Sequence, residues 1–201
     1  MGALLSNFRN TFIVSLLLSV ALIAYFATQS SALTYGNMHQ LMGHAAMRWM
    51  HVFFGILWIG LLYYFNFVQI RTMPKIPDEL KPAIGKFIAP EALFWFRWAA
   101  IATMVLGLAI AGMPPQVYLV EALTFQAPYR VIGLGMWLGI IMAANVWMFI
   151  WPNQKIALGL VEADADAKAA AGKKAMLFSR TNFVLSFPML YCMVTQYGQL
   201  G

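Results

Sequence analysis

Five stretches of the sequence, at about residues 11–28, 43–70, 91–112, 131–151 and 181–198, are each apolar over a membrane-spanning length. A helix of about 20 residues crosses a hydrocarbon layer of about 30 Å. Such a helix pairs its own backbone groups, which lipid cannot do for it. No other feature constrains the fold as tightly, and the composition agrees. The chain of 201 residues is 62% hydrophobic and only 10% charged, whereas a soluble domain is roughly a quarter charged. Too few polar groups remain to cover a water-facing surface. A soluble enzyme, a disordered regulator and a nucleic-acid binder are thereby excluded. The expected fold is an all-α integral membrane protein, a five-transmembrane-helix bundle in a single domain over residues 1–201. Loops at 71–90 and 152–180 would be cytoplasmic.

Arg9 precedes the first apolar run, as in a signal peptide, but Ala24-Tyr25-Phe26 is a poor small-x-small cleavage site. The run is therefore counted as a span. The placement of Lys and Arg then sets the orientation. Arg9, Arg71, Lys75, Lys81, Lys86, Lys155, Lys168, Lys173, Lys174 and Arg180 fall on one side of a five-span chain. Arg130 falls on the other, and Arg48 and Arg97 lie inside spans. The positive-inside rule puts the N-terminus in the cytoplasm and the C-terminus outside. Tyr63, Tyr64, Trp95, Trp98, Trp147 and Trp151 lie near the cytoplasmic ends of their spans, where amphipathic rings settle at the headgroups. The Ala-rich segment after Lys155 reads as an ordered loop or a helix lying against the membrane.

Small residues recur every fourth position at Gly135, Gly139 and Ala143, and at Ala99, Thr103, Gly107 and Ala111. Such ladders let helices approach closely in lipid. The second span carries a polar stripe: His44, Arg48, His51, Gly55, Trp58, Leu62, Asn66 and Gln69 share one helical face. That face should point into the bundle or a wet cavity. At about 1.5 Å per residue, Asn66, Arg97, Asn145 and Ser186 lie at similar depth, with Gln69 and Asn182 beside them. They form a candidate buried polar layer, with Arg48 and His51 in a second layer nearer the outside. The plainer alternative is that Arg97 snorkels to the headgroups while the asparagines staple helices together.

The histidines, His39, His44 and His51, are confined to thirteen residues, which disfavours two imidazoles on opposite faces of a haem. A His/Met haem remains open, with Met104, Met136, Met142 or Met193 as partner, as does copper on imidazole and thioether. The metal candidate is His51, and the candidate cofactor-binding set is His51, His44, Arg48 and Trp58. The competing reading is a hydrogen-bonded structural histidine among methionines that fill the core. One cysteine, Cys192, allows neither an internal disulfide nor covalent c-type haem attachment.

The run Met47-Arg48-Trp49-Met50-His51-Val52, continued by Gly55-Ile56-Leu57-Trp58-Ile59-Gly60, resembles the second-helix signature of the urate hydroxylase (PuuD-type) membrane domain. Phe94-Trp95-Phe96-Arg97-Trp98 is similar to that family's aromatic–basic helix start. Gly139-Ile140-Ile141-Met142-Ala143-Ala144-Asn145-Val146 with Trp151-Pro152-Asn153-Gln154-Lys155 resembles its penultimate helix and exit. Thr181-Asn182-Phe183 with Ser186-Phe187-Pro188-Met189 resembles its final helix. The resemblance implies a bacterial cytoplasmic (inner) membrane location and a link to urate oxidation. In its long form the family has a larger membrane domain followed by a cytochrome c domain, and this sequence shows no cytochrome c motif. Near Ile132 and at Arg180 it lacks histidines that the resemblance leads one to expect. The resulting expectation is an accessory or binding subunit of a redox or electron-transfer membrane complex. Haem b or quinone is the cofactor class considered, and lipid with other membrane subunits or a second copy are the partners. The rival is a urate hydroxylase-type oxidoreductase with haem on His51, passing electrons to a separate cytochrome. A small-solute transporter is a weaker third reading, since no inverted repeat is seen.

Overall fold

The structure, a computed structural model, describes residues 7–28, 38–114 and 116–195. It is built of helices, with no strand among the described residues. Helix α1 spans Phe8–Thr28 and α2 spans Met38–Tyr63. Helix α2 runs on through a π-helical turn, Tyr64–Gln69, and two short turns, Ile70–Thr72 and Met73–Lys75. Helix α3, Ala89–Gly112, is preceded by a turn at Lys81–Ala83 and a π-helical turn at Ile84–Ile88. The short α4, Leu119–Leu123, leads to α5, Arg130–Asn145. A third π-helical turn, Val146–Ile150, joins α5 to α6, Trp151–Ala157, and α7 spans Ala165–Thr195.

Three helices are long and apolar enough to cross a membrane: Gly43–Lys75, Lys81–Gly112 and Arg130–Ala157. Arg9–Tyr25 is a shorter apolar helix. Helix α7 has 31 residues, but its first half is rich in Ala, Lys and Asp, and its second half carries Arg180, Asn182 and Ser186. The helices overrun the expected spans at several ends, so parts of the segments 71–90 and 152–180 are helical. Residues 196–198 of the fifth expected span lie outside the described residues.

Two of the π-helical turns have a local cause. Pro90 and Pro152 have no N–H for the carbonyl four residues back, and each ring crowds that carbonyl. The helix widens just before each of them, so that Ala89 N–H bonds Ile84 O and Trp151 N–H bonds Val146 O. Both segments thus stay helical through a proline. The turn at Tyr64–Gln69, where Ile70 N–H bonds Phe65 O, has no proline beside it, and it holds Asn66.

Helix α2 packs along α3, α5 packs along α7, and α6 folds back on α7. The main core lies where these helices meet: Trp58, Leu62, Phe65, Phe96, Ala100, Met142, Val146, Ile150 and Met189. A smaller cluster at the other end joins Ala111, Tyr118, Ala122, Ile132 and Met136. There Gly133 permits a close helix approach, because a Cβ on it would collide with the Ala122 carbonyl oxygen. In lipid, helix association gains little from the hydrophobic effect and rests on packing and interhelical hydrogen bonds. The outward faces fit that setting: Ile56, Met148, Val184 and Val194 are all exposed.

Candidate functional site

The buried face of α7 is a ladder of small and polar residues: Ala171, Ala175, Ser179, Asn182, Ser186, Met189 and Cys192. They recur every three or four residues, which places them in one stripe. Where that stripe carries only small or short polar side chains, from Ala171 to Ser186, α2 and α5 come close enough for side chains to reach across. Asn145 of α5 donates one N–H to Asn182 Oδ1 (2.7 Å) and one to the Phe178 carbonyl (3.1 Å). Asn182 donates in return to the Met142 carbonyl at 3.0 Å. Asn182 is completely buried. On the α2 side, Asn66 donates to Ser179 Oγ at 3.1 Å and to the Leu62 carbonyl at 2.9 Å. Ser186 spends its proton on the Phe183 carbonyl (2.7 Å), so Tyr63 donates to Ser186 Oγ at 3.1 Å.

Asn66, Asn145, Asn182 and Ser186 are thus gathered along one polar seam on α7. Gln69 is not tied into it; its Oε1 is buried with no partner, as is Asn145 Oδ1. Arg97 also stands apart. Its guanidinium lies over the Trp151 ring, 3.9 Å from the centroid, and 5.3 Å from that of Phe94. Trp147 Nε1 donates to the Arg97 carbonyl at 3.2 Å, tying α3 to the turn before α6. Lys155 of α6 approaches the same Trp151 ring at 5.8 Å.

The second group lies toward the other end of α2. His51 Nδ1 is 2.8 Å from the Thr103 carbonyl. A carbonyl only accepts, so Nδ1 carries the proton and Nε2 is the ring's free lone-pair nitrogen. The imidazole packs on Gly107, where a Cβ would stand 2.8 Å from its Cε1. Arg48 Nη2 is 3.4 Å from His44 Nδ1. A guanidinium only donates, which leaves the His44 proton on Nε2, buried and without a partner. Trp58 is 2% exposed in the main core, and its Nε1–H is also unpartnered. The four candidates do not converge on one point of the structure's hydrogen-bond network. His51 joins α3, His44 joins Arg48, and Trp58 fills the core.

If a haem were bound, His51 is the residue that could offer it an imidazole nitrogen. Its tautomer is fixed by a backbone carbonyl, the arrangement in which an imidazole presents Nε2 to a metal. Among the described residues, no group of three or more His, Cys, Asp or Glu could hold a metal ion. Several contributors carry no sequence signal of their own. Ser179 and Tyr63 are unremarkable polar residues until α7 is placed against α2. Gly107 belongs to the small-residue ladder of α3, and its periodicity does not reveal that it seats a histidine.

Residues 117–200 match the family model described as urate oxidase, N-terminal, which links the chain to the urate oxidase/hydroxylase family. The match takes in α4 to α7, including Asn145, Asn182 and Ser186, and leaves out α2 and α3 with His51 and Arg97. No curated protein and no solved structure matches the chain.

Proposed function

We propose that this chain is a bacterial inner-membrane protein of the urate hydroxylase type, with five spans, a cytoplasmic N-terminus and an external C-terminus. On this reading α1 and the second half of α7 supply the first and last spans. Its role is that of an accessory or binding subunit in a membrane complex that oxidises urate. The observation that carries the urate link is the family match over residues 117–200. The site geometry supports an accessory role over a catalytic one, because the polar groups of α5 and α7 are largely engaged helix to helix. Asn145, Asn182 and Asn66 donate across helices to carbonyls and a hydroxyl, and Ser186 accepts from Tyr63 of α2, which holds the bundle together.

The second reading is a membrane oxidoreductase with haem on His51, and the pinned tautomer of that imidazole favours it. Haem would supply one-electron transfer. His51 would offer Nε2 to it, and the Thr103 carbonyl would hold the ring in orientation.

The test uses bacterial membranes with and without this chain, and the purified full chain. An accessory subunit predicts that urate-dependent oxygen uptake is lost without the chain and restored by re-expression. The purified chain alone should show no Soret band before or after dithionite. A stoichiometric Soret band that vanishes in His51→Ala would replace this reading with the second. Oxygen uptake indifferent to the chain, together with a colourless protein, would remove both.

A further inference from the structure

Arg97 and Lys155 come from different helices and converge on one indole. The guanidinium lies 3.9 Å and the ammonium 5.8 Å from the Trp151 centroid. Neither cation has a carboxylate partner among the described residues. Among the described residues the only ion pair is Lys81–Asp78, and Glu91, the acidic residue in the first turn of α3, accepts from Trp95 Nε1 at 3.0 Å. Among the described residues no hydrogen bond engages the Arg97 guanidinium. Stacking on the ring satisfies its face but leaves its in-plane N–H donors, which match a phosphate or carboxylate in a two-pronged geometry. Arg97, Lys155 and Trp151 are all half-buried. A charge so placed in an apolar helix is costly without a counter-charge.

The position decides the class of anion. Arg97 is within a helix long and apolar enough to cross a membrane, and Lys155 is near the end of another. Trp98, exposed, stands edge-on to Trp147 with centroids 5.5 Å apart, beside the same junction. Tryptophan of this kind marks the headgroup level. A diffusible anion would have to enter this apolar rim from water, whereas a lipid phosphate already lies at that depth.

We infer that Arg97, Trp151 and Lys155 form a binding site for the phosphate of an anionic phospholipid, held between α3 and α6. The guanidinium donates to the phosphate oxygens, Lys155 adds the second positive charge, and Trp151 keeps both cations in place. The site neutralises the one arginine of α3 and ties the α3–α6 junction to the bilayer surface. It stands independently of the urate reading.

Native mass spectrometry of the full chain in mild detergent, titrated with phosphatidylglycerol or phosphatidylcholine, tests it. The wild type should prefer phosphatidylglycerol. Each of Arg97→Gln and Lys155→Gln should lower that preference about fivefold, as expected for one cation near a charged lipid surface. The double variant should fall to the phosphatidylcholine level. Lys155→Arg should keep the preference. Lys155→Gln changes only a half-exposed helix end, so it remains informative if Arg97→Gln does not fold, which circular dichroism would report. Equal binding of the two lipids by the wild type would overturn the inference, as would wild-type preference in Lys155→Gln. Displacement of phosphatidylglycerol by millimolar inorganic phosphate would show a free-anion site and overturn the lipid assignment.

Discussion

Replacing Asn182 by leucine removes an amide that is fully buried between α5 and α7 and keeps its branched shape. Two hydrogen bonds go: Asn145 to Asn182 Oδ1 at 2.7 Å and Asn182 to the Met142 carbonyl at 3.0 Å. The Met142 carbonyl retains the Val146 N–H, but one N–H of Asn145 is left buried and unpaired. At about 0.6–1.5 kcal/mol per interhelical bond, the expected loss is about 1–3 kcal/mol. Asn145→Leu also loses two bonds, to Phe178 O and Asn182 Oδ1, and is expected to cost about the same. The bond between the two asparagines is counted in both single variants. The double variant Asn145→Leu/Asn182→Leu should therefore be less destabilised than the sum by about 0.6–1.5 kcal/mol. The measurement is reversible unfolding in mixed lipid–detergent micelles titrated with sodium dodecyl sulfate, followed by tryptophan fluorescence. Additivity within about 0.3 kcal/mol would refute the reasoning, because it would mean the two amides do not depend on each other. Single variants as stable as wild type would do so too.

Gly107→Ala should destabilise the chain by about 1–2 kcal/mol, because the new methyl would displace His51 from the Thr103 carbonyl. A ¹⁵N spectrum of His51 should lose its fixed Nδ1–H tautomer, and an unchanged imidazole spectrum would disprove the wedge. Asp78, exposed on the turn between α2 and α3, is held below the ordinary carboxylate range by its hydrogen bond to Lys81 and by that residue's charge. With the folded pKa lowered, the pair's contribution is present above the ordinary value and is lost as pH falls through the lowered one. A ¹³C titration should show a low Asp78 midpoint that rises in Lys81→Gln; equal midpoints would remove the pair.

Hydropathy shows where the helices lie, because apolar length is a local property that any sequence window displays. Three of the expected spans coincide with helices long and apolar enough to cross a membrane. The face of α2 that carries His51 and Trp58 follows from the 3.6-residue period, whereas Asn66 lies in the π-helical turn beyond it, where that period breaks. What each polar residue bonds was not legible. Asn66 and Arg97 have similar depth in sequence, yet one donates to Ser179 on α7 and the other stacks on Trp151. Partners that lie 113 residues apart for Asn66 and Ser179, or 52 for His51 and Thr103, are chosen by how helices rotate and approach.

By itself, then, the sequence determined an apolar, charge-poor helical chain and the positions of the three helices long and apolar enough to cross a membrane. Only the tertiary structure decided that the small stripe of α7 becomes a polar seam and that Gly107 seats His51. It also decided that Arg97 leaves the polar layer to share an indole with Lys155. The physical reason is that burial is dictated residue by residue, whereas a hydrogen bond needs a donor and an acceptor brought to about 3 Å. That distance is set by packing between helices, which no single helix encodes.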